Sequence, residues 1–194
     1  MVAWVETLGY EEAGDRLKEI YKEASSQIGE VHNLYRAHSL RPETIDGSDR
    51  LYKAVLHCAD NTLAPQLGEL VATYVAALNL CHYAFVNHGA NFRHHLGDPE
   101  RAARIMEALP DGIPVKELDE KSLALLEYTR SLTLQPGKMA REDLERLREV
   151  GFTDGEIIEA NQICAGFNYW TRTLNGLGVE LDSWAGLYGS KEFP

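Results

Sequence analysis

Apolar residues recur along most of this chain at intervals of three and four, the spacing that places them on one face of an α-helix. The pattern predicts an amphipathic helix over residues 10–28 and a short helical segment over residues 31–40. A third helix is expected to begin at Pro42, because proline fits the first turn of a helix. No stretch alternates polar and apolar residues long enough to indicate a strand. We therefore predict an all-α protein.

The second half of the chain continues the helical pattern. Asp98 and Pro99 indicate the start of a helix, with aspartate as the N-cap and proline at the first helical position. Helical segments are predicted over residues 101–109, 120–134 and 141–150, with an exposed turn at residues 110–114.

The last predicted helix, over residues 155–174, has recognisable signals at both ends. Thr153 and Glu156 have the spacing of a capping box, in which each side chain accepts a hydrogen bond from the other residue's backbone amide. Asn175, Gly176 and Gly178 are expected to end the helix, because glycine readily adopts the left-handed conformation found at helix C-termini.

One acid, one thiol and several imidazoles gather on an otherwise apolar stretch over residues 69–95. The run over residues 70–80 is almost entirely apolar, which suits a buried helix and is too short to cross a membrane. The chemistry of the protein is therefore expected here. The candidate catalytic residues are Glu69, Cys81, His82, Tyr83 and His88.

The spacing of Cys81 and His88 leaves two local structures open. In one continuous helix over residues 66–95, Cys81 would be buried in mid-span. Alternatively, Asn79 could cap a new helix that starts near Cys81, which would place the sulfur at the positive end of the helix dipole and lower its pKa. A cysteine at position 84 would complete a Cys-x-x-Cys pair, but this chain has Ala84.

The pattern Glu69, Cys81, position 84 and His88 resembles the active site of the alkylhydroperoxidase AhpD and carboxymuconolactone decarboxylase superfamily. The flanking segments resemble its subgroup of peroxidase-related proteins; these segments are residues 31–34, 39–42, 88–90 and 168–181. The resemblance implies a single AhpD-like domain over residues 1–194, with its core motif at residues 69–88. It also implies a homo-oligomer, either a trimer or a hexamer.

The resemblance further implies a proton relay between Glu69 and His88 that serves the second cysteine position, here Ala84. The two residues are nineteen positions apart, which corresponds to about 28 Å in a straight helix. We predict that they lie within direct or one-water hydrogen-bonding reach. A break in the helix near Asn79 is then required.

Three functions are compatible with these residues. The leading prediction, with the other two as alternatives, is thiol-dependent reduction of a hydroperoxide in antioxidant defence, in which Cys81 passes to a sulfenic acid and an external thiol is a possible reductant. The second is acid–base chemistry of the carboxymuconolactone decarboxylase type on a lactone acid, with Glu69 and His88 and without a thiol. The third is a non-catalytic oligomer. Ala84 weakens the first of these.

The composition limits the kinds of binding partner and cellular location that are expected for the protein. A net charge of -11 and a pI near 5.1 argue against a nucleic-acid partner, and no membrane segment is expected. Three cysteines are too few and too scattered for a secreted disulfide framework, so a cytoplasmic location is expected. Cys58 and Cys164 are interpreted as small buried apolar residues.

No metal or soluble cofactor is expected from the motifs. Cys81, His88 and His95 recur every seven residues, about 10.5 Å apart along a helix, which is too far for one zinc ion. Dinucleotide and phosphate-binding motifs are absent from the sequence. Aromatic and apolar residues crowd the end of the chain, and some are expected in a subunit interface; they are Phe167, Tyr169, Trp170, Trp184, Leu187, Tyr188 and Phe193.

Overall fold

The structure, a computed structural model, describes residues 1–24, 31–113 and 115–185. Within these ranges the chain forms nine α-helices and two 3₁₀-helices, without a strand or sheet, which confirms the predicted all-α class. The α-helices are α1 (Asp15–Glu23), α2 (Asn33–Ala37), α3 (Pro42–His57), α4 (Pro65–Leu78), α5 (His82–Leu96), α6 (Pro99–Ala108), α7 (Glu120–Leu134), α8 (Arg141–Glu149) and α9 (Asp154–Leu177). The 3₁₀-helices are Val115–Glu117 and Pro136–Lys138.

Several helix ends were predicted correctly because their signals are local. Asp98 caps α6 by accepting a hydrogen bond from the Arg101 amide at 3.0 Å. Thr153 and Glu156 form the predicted capping box of α9. Helix α7 has the predicted bounds, Glu120–Leu134.

Other boundaries differ from the predictions. Helix α1 is shorter than the predicted segment because it begins only after Gly14, and residues 25–28 lie outside the described residues. Helix α9 continues through Asn175 and Gly176, which were expected to end it, and stops at Gly178. Gly178 has a φ of 58°, and the Val179 amide donates to the Leu174 carbonyl five residues back, so this glycine supplies the left-handed residue that closes the helix.

Helix α4 is the central element of the core. All residues from Gly68 to Ala77 are buried. One side of α4 packs Val71 and Val75 against α7 and α9, while the other packs Leu70 and Tyr74 against α5, α6 and α7. Burying each large apolar side chain contributes about 1.5–3 kcal/mol, so these layers hold α4 firmly in place.

The C-terminal aromatic residues do not behave as one exposed group. Phe167 and Trp170 are buried and pack in the core beside α4 and α7, so they are not available at the surface for a subunit interface. Tyr169 is exposed and Trp184 is partly buried. Leu187, Tyr188 and Phe193 lie outside the described residues.

The chain reverses direction between α4 and α5 through a Schellman turn. The Cys81 amide donates to the Ala76 carbonyl at 2.8 Å, and the Leu80 amide donates to the Ala77 carbonyl at 3.0 Å. Leu80 occupies the left-handed position with a φ of 51°, where glycine is usual. Its side chain is 85% exposed, so little packing offsets the strain.

This turn gives a stability prediction. Leu80→Gly should unfold at a higher denaturant concentration than Leu80→Ala, by about 0.5–1 kcal/mol in free energy of unfolding, because only glycine relieves the left-handed strain. The alanine variant is the matched control, since it also removes the exposed side chain. Equal stability of the two variants in urea unfolding would show that the turn is unstrained.

Candidate active site

The turn at Leu80 places α5 antiparallel to α4 and brings Glu69 to His88. His88 Nδ1 lies 2.8 Å from Glu69 Oε2, and Asn91 Nδ2 donates to Glu69 Oε1 at 3.2 Å. Glu69 is only 3% exposed, so these two partners satisfy a carboxylate that would otherwise be costly to bury. The predicted contact and the break in the helix are both confirmed.

The break differs in detail from the prediction. Asn79 is the C-terminal cap of α4, and Cys81 itself is the N-cap residue of α5. The side chain of Asn79 instead donates to Asn168 and Thr171 of α9, each at 3.0 Å. Asn79 therefore ties the turn to α9 and does not start α5.

The Glu69–His88 dyad lies on the wall of a cavity of about 430 Å³. Helix α5 contributes Tyr83, Ala84, Asn87, His88, Asn91 and His95, which lie on one face of the helix. The facing walls carry aromatic side chains from α2, α3, α9 and the segment after α9; these are Tyr35, Tyr52, Phe167, Tyr169, Trp170 and Trp184. The volume suits a small organic molecule.

The ring of His88 is fixed from several sides. Phe167 packs edge-on at 4.5 Å between ring centroids, and Tyr52 lies edge-on at 6.0 Å. Because Nδ1 is bonded to Glu69, Nε2 is the nitrogen left for a ligand, and no hydrogen bond to it is found among the described residues. A carboxylate behind Nδ1 fixes the tautomer and stabilises the ring when Nε2 takes a proton.

Cys81 is not where thiol chemistry needs it. It is 1% exposed, packs in an apolar cluster with Ala76, Ala84 and Leu174, and does not line the cavity. Burial raises the pKa of its thiol, and the nearby amides of Ala84 and Tyr83 only partly oppose this shift, without a capping hydrogen bond to the sulfur. Of the two alternatives left open by the sequence, α5 does start at Cys81, but the lower thiol pKa that this alternative carried is not found, because desolvation outweighs the backbone amides.

The other two cysteines also lie away from the cavity. Cys164 is buried among Thr133, Thr129 and Asn168, as expected, and burial raises its pKa to about 11. Cys58 is exposed, which contradicts its interpretation as a buried residue, because it follows the last turn of α3 at the surface.

Of the two remaining candidates, one enters the cavity and the other does not. His82 is exposed on the outer face of α5 and is absent from the cavity wall. Tyr83 is buried, lines the cavity, and donates from its hydroxyl to Asp182 Oδ2 at 2.6 Å. Burial raises the pKa of Tyr83, and the neighbouring Asp182 carboxylate raises it further.

A second carboxylate–histidine pair was missed at the sequence level. His32 Nδ1 lies 3.1 Å from Asp182 Oδ2, and the Asn33 amide donates to Asp182 Oδ1 at 2.9 Å. Burial alone would raise the pKa of Asp182, but the hydrogen bonds from His32, Tyr83 and Asn33 outweigh it and leave the pKa lowered. The only sequence signal was the segment containing His32, which resembled a family flank.

A second cavity, of about 320 Å³, adjoins the first. It is lined by the loop between α3 and α4 and by part of α9, including Cys58 and Glu159. Glu69, His57 and His95 line both cavities, so the buried carboxylate lies between them.

Neither metal nor membrane features are found in the described residues. No group of three or more His, Cys, Asp or Glu side chains there is arranged to hold a metal ion. None of the helices given above has the length and apolar character that crossing a membrane requires.

No model of a known protein family matches the chain. Among curated proteins, human Sestrin-2 is 28% identical over 160 residues, which are 81% of this chain but only 31% of Sestrin-2. The chain thus spans less than a third of the length of this relative.

Solved structures define the fold. An AhpD-core, uncharacterized peroxidase-related protein from Ralstonia eutropha JMP134 superposes with a TM-score of 0.84 at 21% identity, over 97% of both chains. A variant of the debrominase Bmp8, in complex with 2,3,4-tribromopyrrole and with one cysteine replaced by alanine, gives 0.73 at 14% identity over 94% of this chain and 92% of Bmp8. The protein therefore has the AhpD-like helical fold, and the resemblance inferred from the sequence is confirmed for the fold.

The positions of the three cysteines predict their labelling by a disulfide reagent such as Ellman's. One thiol, Cys58, should react quickly in the folded protein at neutral pH, and all three should react after denaturation. Cys81 should react only slowly, because its raised pKa keeps it protonated and its sulfur is buried. Cys58→Ser is the control and should remove the fast phase. A fast phase that survived in this variant would place a reactive thiol elsewhere.

Proposed function

We propose that the protein is an enzyme that carries out acid–base chemistry on a small molecule through the Glu69–His88 dyad, as in the thiol-independent alternative. One observation carries the proposal: the dyad, joined at 2.8 Å, lines a cavity that none of the three cysteines reaches. A sulfur-based reaction would need a thiol in the same place.

The geometry of the dyad suits a general base. Glu69 accepts the Nδ1 proton of His88, so Nε2 can take a proton from a bound molecule. The imidazolium that forms is stabilised by the Glu69 carboxylate, which Asn91 holds from the other side. Protonated His88 can then return the proton to a different atom of the ligand. Ala84, one turn before His88, leaves room for the ligand at the position of the usual second cysteine.

Thiol-dependent peroxide reduction is the second candidate. It is favoured by the names of the structural neighbours and by the amides of Tyr83 and Ala84 near the Cys81 sulfur. In this reaction the Cys81 thiolate would attack a hydroperoxide oxygen, giving a sulfenic acid and an alcohol or water. Two external thiols would then reduce the sulfenic acid, forming a disulfide between them and water. Cys81 would have to become exposed first.

Two assays separate these candidates. A panel of small ring compounds, both lactone acids and uncharged molecules, is screened by ultraviolet absorbance. Turnover of the compound that reacts should fall about 10²–10⁴-fold in Glu69→Gln and His88→Asn because the general base is lost. Cys81→Ala should leave this turnover unchanged. His82→Ala is the matched control, since it removes an exposed imidazole from the same helix.

The second assay measures hydrogen peroxide consumed by the reduced protein. We expect weak consumption by the wild type, none by Cys81→Ala, and an increase with an intramolecular disulfide in Ala84→Cys. If Cys81→Ala removed every measurable activity while Glu69→Gln kept it, the acid–base proposal would be wrong and the thiol reaction would replace it.

We also propose that the chain assembles with itself into trimers or hexamers, as the resemblance implies. Exposed apolar side chains on the helical surface support this; they include Trp4, Leu80, Ile158 and Tyr169. Light scattering at micromolar concentration should give a mass of three or six times 21.7 kDa. A monomer at all concentrations tested would contradict the assembly.

A further inference from the structure

The His32–Asp182 pair repeats the arrangement of the Glu69–His88 dyad. In each, a buried carboxylate accepts from the Nδ1 side of a histidine and is held by a second hydrogen-bond donor. Glu69 is held by Asn91 and Asp182 by Tyr83, and both donors belong to α5. Both histidines line the same 430 Å³ cavity, and neither Nε2 has a protein partner in the described part of the chain.

The hydrogen bonds of Asp182 could have a purely structural role, which is to attach the segment after α9 to α2. The Asn33 amide on Asp182 and the Asn33 side chain on the Glu180 carbonyl, at 3.0 Å, would already do that. Such an attachment does not require a histidine whose imidazole is partly exposed to a cavity. His32 packs against Trp184 in a tilted arrangement, with 4.1 Å between ring centroids, and both rings line the cavity wall. These contacts hold the imidazole at the cavity wall.

The two dyads are separated along the wall. Tyr83 and His88, which mark them on α5, are five residues apart, or about 7.5 Å along the helix axis. This axial offset is comparable with the length of one or two fused or linked rings. Both histidines line the same cavity, so one ligand that fills it can meet each histidine with a different polar group.

The charges of the cavity restrict that ligand. No lysine or arginine is among the described residues that line it, so a carboxylate or phosphate would find no permanent positive charge. The aromatic walls favour a flat ring, because ring faces and edges pack well against one another. The lining suits an uncharged molecule better than a multiply charged lactone acid.

We propose that His32 and Asp182 form a second acid–base dyad of this cavity, which binds an uncharged conjugated or aromatic ring compound carrying a hydrogen-bonding group at each end. The inference rests on the proposed function of the Glu69–His88 dyad and extends it to the substrate class. One end of the compound gives or takes a proton at His88 Nε2, and the other end bonds to His32 Nε2.

The proposal is tested by calorimetric titration, carried out without oxygen, with two pairs of small-molecule probes. The probes are hydroquinone and the longer para,para′-biphenol, each compared with its monomethyl ether, in which one hydroxyl can no longer donate. Wild-type protein should bind at least one diol about tenfold or more tightly than its ether, because each histidine–carboxylate end offers a strong acceptor. His32→Phe should reduce this preference to less than about twofold.

His38→Phe is the matched control. His38 also lines the cavity, but its Nδ1 contacts the Leu34 carbonyl of its own helix at 2.8 Å and no carboxylate stands behind it. This variant should keep the preference for the diol. If His32→Phe does not fold, Asp182→Asn replaces it, since asparagine still offers an oxygen to the Asn33 amide. Folding of each variant is checked by circular dichroism and melting temperature.

The outcomes separate the two dyads. Equal binding of diol and ether by the wild type, or no binding of either, overturns the proposal, as does a folded His32→Phe that keeps the preference. His88→Phe tests the first dyad in the same assay. If His88→Phe keeps the preference while His32→Phe removes it, a group other than His88 bonds the second hydroxyl; the second dyad then stands and the proposed role of His88 is wrong.

Discussion

A carboxylate buried within a helical core has to be paired, and Glu69 is the residue on which this structure depends. Its side chain is almost inaccessible on α4, the most buried helix of the core. Removing one partner of a buried pair commonly costs about 3–5 kcal/mol. His88 and Asn91 on α5 supply these partners. Their hydrogen bonds to Glu69, together with apolar contacts, hold α4 and α5 in antiparallel packing.

The turn at Leu80 makes this pairing possible. A straight helix would separate Glu69 and His88 by about 28 Å, whereas the Schellman turn reverses the chain within three residues. The last helix closes with the same hydrogen-bond pattern and uses Gly178 at the left-handed position. The hairpin that builds the candidate site carries a leucine there, so its backbone is strained where α5 begins. Strain of this kind persists when surrounding contacts, such as those of Asn79, hold the turn in place.

The features that the sequence could predict are those with local or motif-like causes. The capping box at Thr153 and the bounds of α7 follow from neighbouring residues, and the Glu69–His88 contact followed from the motif. The sequence left the burial of Cys81 open, because it depends on Leu174 and other residues brought in from distant segments. His32 and Asp182 are 150 residues apart, and no spacing rule connects them. Their pairing appears only when the segment after α9 crosses α2.

Glu69 lies between two cavities, so a ligand and water can approach its carboxylate from different sides. A molecule held against His88 would fill the 430 Å³ cavity. The 320 Å³ cavity, which His57 and His95 also line, would still border the same carboxylate. Water in the 320 Å³ cavity could then exchange protons with the dyad while a ligand occupies the 430 Å³ cavity. In the proposed acid–base function, the protonation state of the Glu69–His88 dyad would then reset while the ligand stays bound, so that several proton transfers could take place during a single residence of the ligand.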